Sequence, residues 1–188
     1  RILGNVCSSR ATAKRYIYAL LLGAGVDKLA TILGCTREKG QQALDTLLAR
    51  YTGLAYLKEN IIPADAKRGW FLGLDGRPVQ IPGETTGSRK HLAMSGYLQN
   101  GETVVMRKAT IKFVPKIIEF NSFLVDFVHD EYVDEVPNDY KIACQVAELM
   151  ANSLQEVGNE LQLKCPLAGS WHHDNGEPTI GTSWAETH

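Results

Sequence analysis

Apolar and polar positions along the chain change texture partway through. From residue 10 to residue 62 the apolar residues recur at helical spacing. A first helix is predicted over residues 10–22, capped by Ser8 or Ser9 and stopped at Gly23-Ala24-Gly25. The helical period resumes over residues 26–33, pauses at Gly34, and continues from Thr36 to about Tyr51, where Leu44, Leu47 and Leu48 form an apolar stripe. Another helix is predicted over residues 53–62, ending at Pro63.

Beyond it the pattern shortens. Residues 69–79 read as two short strands joined by an Asp75-Gly76 turn, and residues 82–88 as a polar loop. Residues 89 to about 120 read as a long helix that Pro115 should kink or interrupt. Over residues 123–136 apolar and acidic positions alternate at strand period, with a bend at His129-Asp130-Glu131. An amphipathic helix is expected over residues 139–157, and the tail from Leu161 as a strand followed by irregular chain. Trp70 and Phe71 read as core. The fold class is α+β: a helical part, then a small antiparallel sheet with helices packed on it, the boundary falling between residues 68 and 90.

Composition narrows the function classes. The chain has 188 residues, 44% of them apolar and 22% charged, which suits one compact domain or two small ones. Twenty basic residues against twenty-one acidic give a net charge of −1. A free-standing, strongly basic nucleic-acid binder is disfavoured, but an enzyme with locally gathered cations is not. Cys7, Cys35, Cys144 and Cys165 form no C-x-x-C pair, so zinc ribbons and disulfide frameworks are disfavoured and reduced thiols expected. No apolar run approaches the ~18 residues of a membrane span, and the expected location is the cytoplasm, of the host cell if the protein is viral. The chain begins with Arg1 rather than Met, which raises the expectation of a longer parent.

Two constellations carry chemistry. Arg10, Lys14, Tyr18 and Leu22 recur every four residues and so share one side of the first helix. Two cations near a helix N-terminus match a polyphosphate, and Tyr18 offers a flat surface to a sugar or base. Two basic residues at this spacing are, however, more often simply a solvated face. The second constellation is the turn His129-Asp130-Glu131. Residues 126–139 hold six acids and no Lys or Arg, a cluster that repels itself unless cations arrive. Magnesium, which takes hard oxygen ligands and substrate phosphates, fits it; a surface acidic hairpin is the plainer reading. Trp171-His172-His173-Asp174 near Cys165 is a weaker metal candidate, and no serine has a nucleophile–base arrangement.

Taken in order, these motifs resemble family A DNA polymerases, most nearly the replicative enzymes of podovirus-type phages. The family's fingers-helix pattern, R-x-x-x-K with an aromatic four residues on, reads here Arg10, Lys14, Tyr18, followed by Leu22-Gly23 where the family has Tyr-Gly. Leu74-Asp75-Gly76-Arg77 matches the turn after the fingers. His91, Ser95 and Gln99 match the palm helix, Val128-His129-Asp130-Glu131 matches motif C, and Ser183-Trp184 through His188 resembles the family's ending. The resemblance runs essentially end to end.

It implies a fingers subdomain at 1–85 and the C-terminal part of a palm at 86–188. Arg10, Lys14 and Tyr18 would bind the dNTP, with Lys14 among the catalytic groups. His91, Ser95, Gln99 and His129 would contact primer–template DNA, and Asp130 with Glu131 would hold two Mg2+ ions for nucleotidyl transfer. Leu22 replaces the family's Tyr near the templating base, and Ser95 replaces an Asn. The family's other metal-binding Asp, in motif A, lies upstream with the thumb and is absent from these residues. The expectation is therefore a polymerase portion that works with a second polypeptide carrying thumb and motif A. A non-catalytic nucleic-acid-binding subunit is the alternative, and a magnesium nuclease using Asp126, His129 and Asp130 a poorer one.

Overall fold

A computed structural model describes residues 7, 9–164, 167–173 and 176–187. Arg1, Ser8, Cys165, Asp174 and His188, raised above, lie outside the described residues. The chain divides into two compact units, Arg1–Asn100 and Gly101–His188.

In the first unit three helices share a core: α1 (Arg10–Leu21), α2 (Val26–Leu33) and α3 (Arg37–Arg50). Ser9 caps α1, its hydroxyl accepting the Thr12 N–H, and Thr36 caps α3 in the same way through the Lys39 N–H. Tyr16, Leu20, Leu29 and Leu47 are buried together, with Leu44 and Leu48 packed against them. Gly40 lets α3 approach α2 closely, since a Cβ there would lie 2.7 Å from the Ala30 Cβ.

The expectation that the next helix ends at Pro63 is overturned. A short α4 (Thr52–Tyr56) widens into a π-helical turn (Leu57–Ile61), and α5 (Ile62–Arg68) then carries Pro63 in its first turn. Proline costs little there, because the first-turn N–H groups need no partner in the same helix and the π turn absorbs the ring. Strands β1 (Trp70–Leu72) and β2 (Pro78–Gln80) pair antiparallel through the expected Asp75-Gly76 turn, with Gly76 at φ 77°. Phe71 is buried with Ile62, Ile81, Ala93 and Met94. Trp70 is not core: it is 37% exposed and lies under the Arg68 guanidinium at 3.9 Å, the strand's alternation turning it outward.

The long helix α6 (Thr86–Ile117) passes through the division between the units. On the first unit's side, buried Asp65 accepts hydrogen bonds from both Arg68 and Tyr97, and Tyr97 stacks on Phe71 at 4.1 Å. Burial and the neighbouring carboxylate push the Tyr97 phenol well above its usual range. This network fixes α5 and β1 against α6. Asp65→Ala would strand Arg68 and the Tyr97 hydroxyl, and it is expected to lower stability by about 2–4 kcal/mol in chemical denaturation.

In the second unit α6 runs on through Pro115 to Ile117 without a break, and a 3-10 turn (Ile118–Phe120) ends it. The proline sits two residues before the end, so little helix follows it to be deflected. Strands β3 (Phe123–Val128) and β4 (Glu131–Glu135) form an antiparallel hairpin, and α7 (Tyr140–Glu160) is capped by the Asp139 side chain. A bulge between Leu124 and Asp126 lets Leu124 and Phe127 both face the helices, which strict alternation would forbid. Phe113, Ile117 and Val146 form the core, and Lys112 ties α6 to α7 through Glu160 at 2.5 Å and Glu156 at 3.5 Å. The expected strand after Leu161 is absent among the described residues. Gln162 is left-handed (φ 52°) in the turn that ends α7, and only an isolated bridge, His172 with Pro178, follows.

Candidate functional site

The basic face of α1 forms because the helix buries its opposite side. Tyr16 and Leu20 are fully buried, which leaves Arg10, Lys14, Tyr18 and Leu22 exposed along one line. Lys14 Nζ stands 5.8 Å from the Tyr18 ring centroid, within reach of a cation–π contact. Among the described residues neither Arg10 nor Lys14 is in an ion pair, and the first turn of α1 holds no acid. Cations at the positive end of a helix cost it about 0.3–1 kcal/mol. Their presence without acidic partners suits an anion that comes from outside.

The end of α1 meets a second candidate group. Gly23 (φ 86°) closes the helix in a Schellman arrangement, its N–H donating to the Leu20 carbonyl and the Ala24 N–H to that of Ala19. A Cβ on Gly23 would lie 2.4 Å from His91 Nδ1, so the imidazole occupies the space the missing side chain leaves. His91, Ser95 and Gln99 follow one face of α6. The first unit thus brings His91 to the Leu22-Gly23 end of the basic helix. That proximity was not legible in the sequence.

In the second unit the β3–β4 hairpin closes through a two-residue turn, His129-Asp130, between the paired Val128 and Glu131. His129 is left-handed (φ 54°), uncommon outside glycine and a conformation found at functional turns. Asp130 is exposed at the tip and makes no ion pair among the described residues. Below the turn Tyr132 anchors the hairpin: its hydroxyl donates to the Met106 carbonyl at 2.5 Å and accepts from Thr110 at 3.3 Å, and its ring meets Phe113 edge-on. Asp130 and Glu131 are hard oxygen donors suited to Mg2+, but no group of three His, Cys, Asp or Glu residues suited to a metal occurs among the described residues. The donor set fits part of a magnesium site and needs a further carboxylate. His172 and His173 gather no such set among the described residues, and Cys165 and Asp174 lie outside them.

A further residue went unnoticed in the sequence. Asp134 shares the inward face of β4 with Tyr132; both its carboxylate oxygens are buried without a hydrogen-bond partner, and burial raises its carboxyl to about 6. The folded chain then binds this proton more tightly than the unfolded one. Its contribution is full below the ordinary carboxylate range near 3.8 and is lost as pH rises to about 6. Asp134→Leu in the 188-residue chain is expected to raise stability at pH 7 by about 1–2 kcal/mol and to flatten this slope in thermal melts from pH 4 to 7. An unchanged slope would remove Asp134 as its source.

Comparison with known proteins follows the same segments. The profile of DNA polymerase family A matches residues 6–185. The DNA-directed DNA polymerase of Escherichia phage Phieco32 is 31% identical over 186 residues, covering 96% of this chain and 28% of that protein. The DNA-directed DNA polymerase of Escherichia phage T7 is 26% identical over 204 residues, covering 96% and 27%. The chain thus spans little more than a quarter of these relatives. A solved structure, the POL domain of Pol1 from M. smegmatis in complex with DNA primer–template and dNTP, matches with a TM-score of 0.62 at 21% identity, over 77% of this chain and 27% of that one. That likeness bears on the fold. No described helix is long and apolar enough to cross a membrane.

Proposed function

This chain belongs to DNA polymerase family A, and from that premise we propose that it supplies the fingers (residues 1–85) and the second part of the palm (residues 86–188) of a template-directed DNA polymerase. In the reaction the primer 3′-hydroxyl attacks the α-phosphorus of a dNTP and pyrophosphate leaves. Arg10 and Lys14 hold the triphosphate, neutralising charge that builds toward the departing pyrophosphate, and Tyr18 packs beside the sugar. His91, Ser95, Gln99 and His129 meet the primer–template. Hydrogen-bonding groups in the minor groove test pairing geometry with little sequence preference, because its acceptors are nearly the same for every base pair. Asp130, with Glu131 beside it, would hold Mg2+; two such ions, when bound, activate the attacking hydroxyl and stabilise the leaving group. The remaining carboxylate and the thumb come from polypeptide outside these 188 residues, and we propose that a second chain carries them.

The observation that carries this reading is that one unit holds an acid-free basic face on α1 and the other an exposed carboxylate turn that, among the described residues, gathers no third ligand. The test is primer extension in Mg2+ by the 188-residue chain, alone and with a polypeptide carrying thumb and motif A. Extension is expected only from the combination. Robust synthesis by the chain alone would overturn the dependence. DNA retention without synthesis by the combination would favour the non-catalytic nucleic-acid-binding subunit.

A further inference from the structure

The second unit contains a cleft of about 950 Å³ beside β4, bounded by α6, α7 and the tail. Its walls are mixed, with an apolar part that includes Met106, Val146, Met150, Leu154, Leu167 and Ile180. Among the described residues its charged lining is one-sided: Glu102, Asp130, Glu131 and Asp134, with His173 and no Lys or Arg. Asp130 and Glu131 have a part in the proposed metal site. Asp134 does not, since it lies three residues along β4 from Glu131, roughly 10 Å at strand rise. Both its oxygens are buried without a hydrogen-bond partner among the described residues. Lys112, a basic residue that α6 presents toward α7, is held by Glu156 and Glu160.

We propose that this cleft seats an apolar segment of the polymerase from outside these 188 residues, and that a Lys or Arg on that segment ion-pairs with Asp134. The inference rests on the polymerase reading and goes beyond it. A buried carboxylate away from water calls for a cation, and among the described residues the cleft's own lining provides no Lys or Arg. Nucleic acid is the wrong occupant, because four carboxylates repel phosphate. A metal ion is also a poor fit at Asp134, since no group of three His, Cys, Asp or Glu that could hold one occurs among the described residues. A polypeptide side chain brings both an apolar stem and a charged head. Such polypeptide is in ample supply: the phage relatives extend over more than three times the matched length.

The test uses the assembled polymerase, with its remaining part on the same chain or on a second one. A photoreactive benzoylphenylalanine replaces Met150, and the irradiated, DNA-bound enzyme is mapped by mass spectrometry. The expected adduct is a peptide from outside residues 1–188 with a Lys or Arg near the cross-linked position. Changing that basic residue to Gln should then weaken assembly about tenfold. Asp134→Asn should weaken it equally, and the double variant no further. Adducts confined to residues 101–188, adducts to DNA, or a cross-linked peptide without a basic residue would each overturn the proposal. If substitution at Met150 blocks assembly, Leu154, on the same wall, gives the same readout. Primer extension by the unmodified assembly, measured in parallel, reports on the polymerase reading separately. An active enzyme with the wrong adduct sinks only the cleft assignment, and the expected adduct in an inactive assembly sinks only the polymerase reading.

Discussion

Asp130→Ala in the complemented enzyme is expected to reduce primer extension by about 10³-fold or more while leaving DNA binding and folding nearly intact. The size follows from its role. An ion that stabilises charge at a transferring phosphoryl group contributes several kcal/mol, and each 1.36 kcal/mol is a factor of ten in rate. The selectivity follows from its place. Asp130 is exposed at the tip of a two-residue turn and has no ion pair among the described residues, so its removal disturbs no packing. Stability should stay within about 0.5 kcal/mol of wild type, as for other exposed positions. Steady-state extension, thermal melting and DNA binding measured on one preparation check all three. Surviving activity would remove this turn from the chemistry.

The second large effect is at the other end of the chain. Lys14→Ala should lower kcat/KM for the incoming nucleotide by about 10- to 150-fold, the worth of a hydrogen bond to a charged group at about 1.5–3 kcal/mol. Folding should not suffer, because Lys14 lies on the exposed side of α1 opposite Tyr16 and Leu20. Alanine is the better helix former, and losing a cation near the positive end of the helix favours it by a few tenths of a kcal/mol more. The signature is therefore a kinetic defect in a chain as stable as its parent or slightly more so. A wild-type nucleotide dependence would leave Arg10 and Lys14 as an ordinary solvated face. Lys14→Arg should recover only part of the loss, since the larger planar fork places its donors differently from a compact ammonium.

The elements that the sequence discloses are those whose physics is local. The four-residue recurrence of Arg10, Lys14, Tyr18 and Leu22 needs only the helical period, and it emerges as one exposed line. The Asp75-Gly76 turn and the bend at His129-Asp130 follow from residue type and alternation, and both strand pairs appear where those signals put them. Pro63 misleads because a proline read alone stops a helix, whereas a π turn just before it makes room for the ring. Leu161-Gln162-Leu163 alternates like a strand, yet a left-handed Gln162 ends α7 there and, among the described residues, no neighbouring strand pairs with it. The contact of His91 with Gly23 joins positions 68 residues apart, a distance that no periodicity spans. Asp134 did leave a mark: an acid on the inward face of β4, in step with Tyr132, where an apolar residue is the rule.

The two-stranded hairpin has one more consequence, for the life of this polypeptide in a cell. Among the described residues both outer edges of the β3–β4 ribbon are unpaired, and Phe123, Val125 and Val128 stand 51%, 62% and 48% exposed. A short apolar strand with free backbone groups is a template for stacking against copies of itself. Asp126, exposed in the middle of that strand, works as a gatekeeper: two such ribbons laid edge to edge would bring like charges together in a dehydrated seam. Its conversion to valine would turn a residue idle in the chemistry into a seed for precipitation.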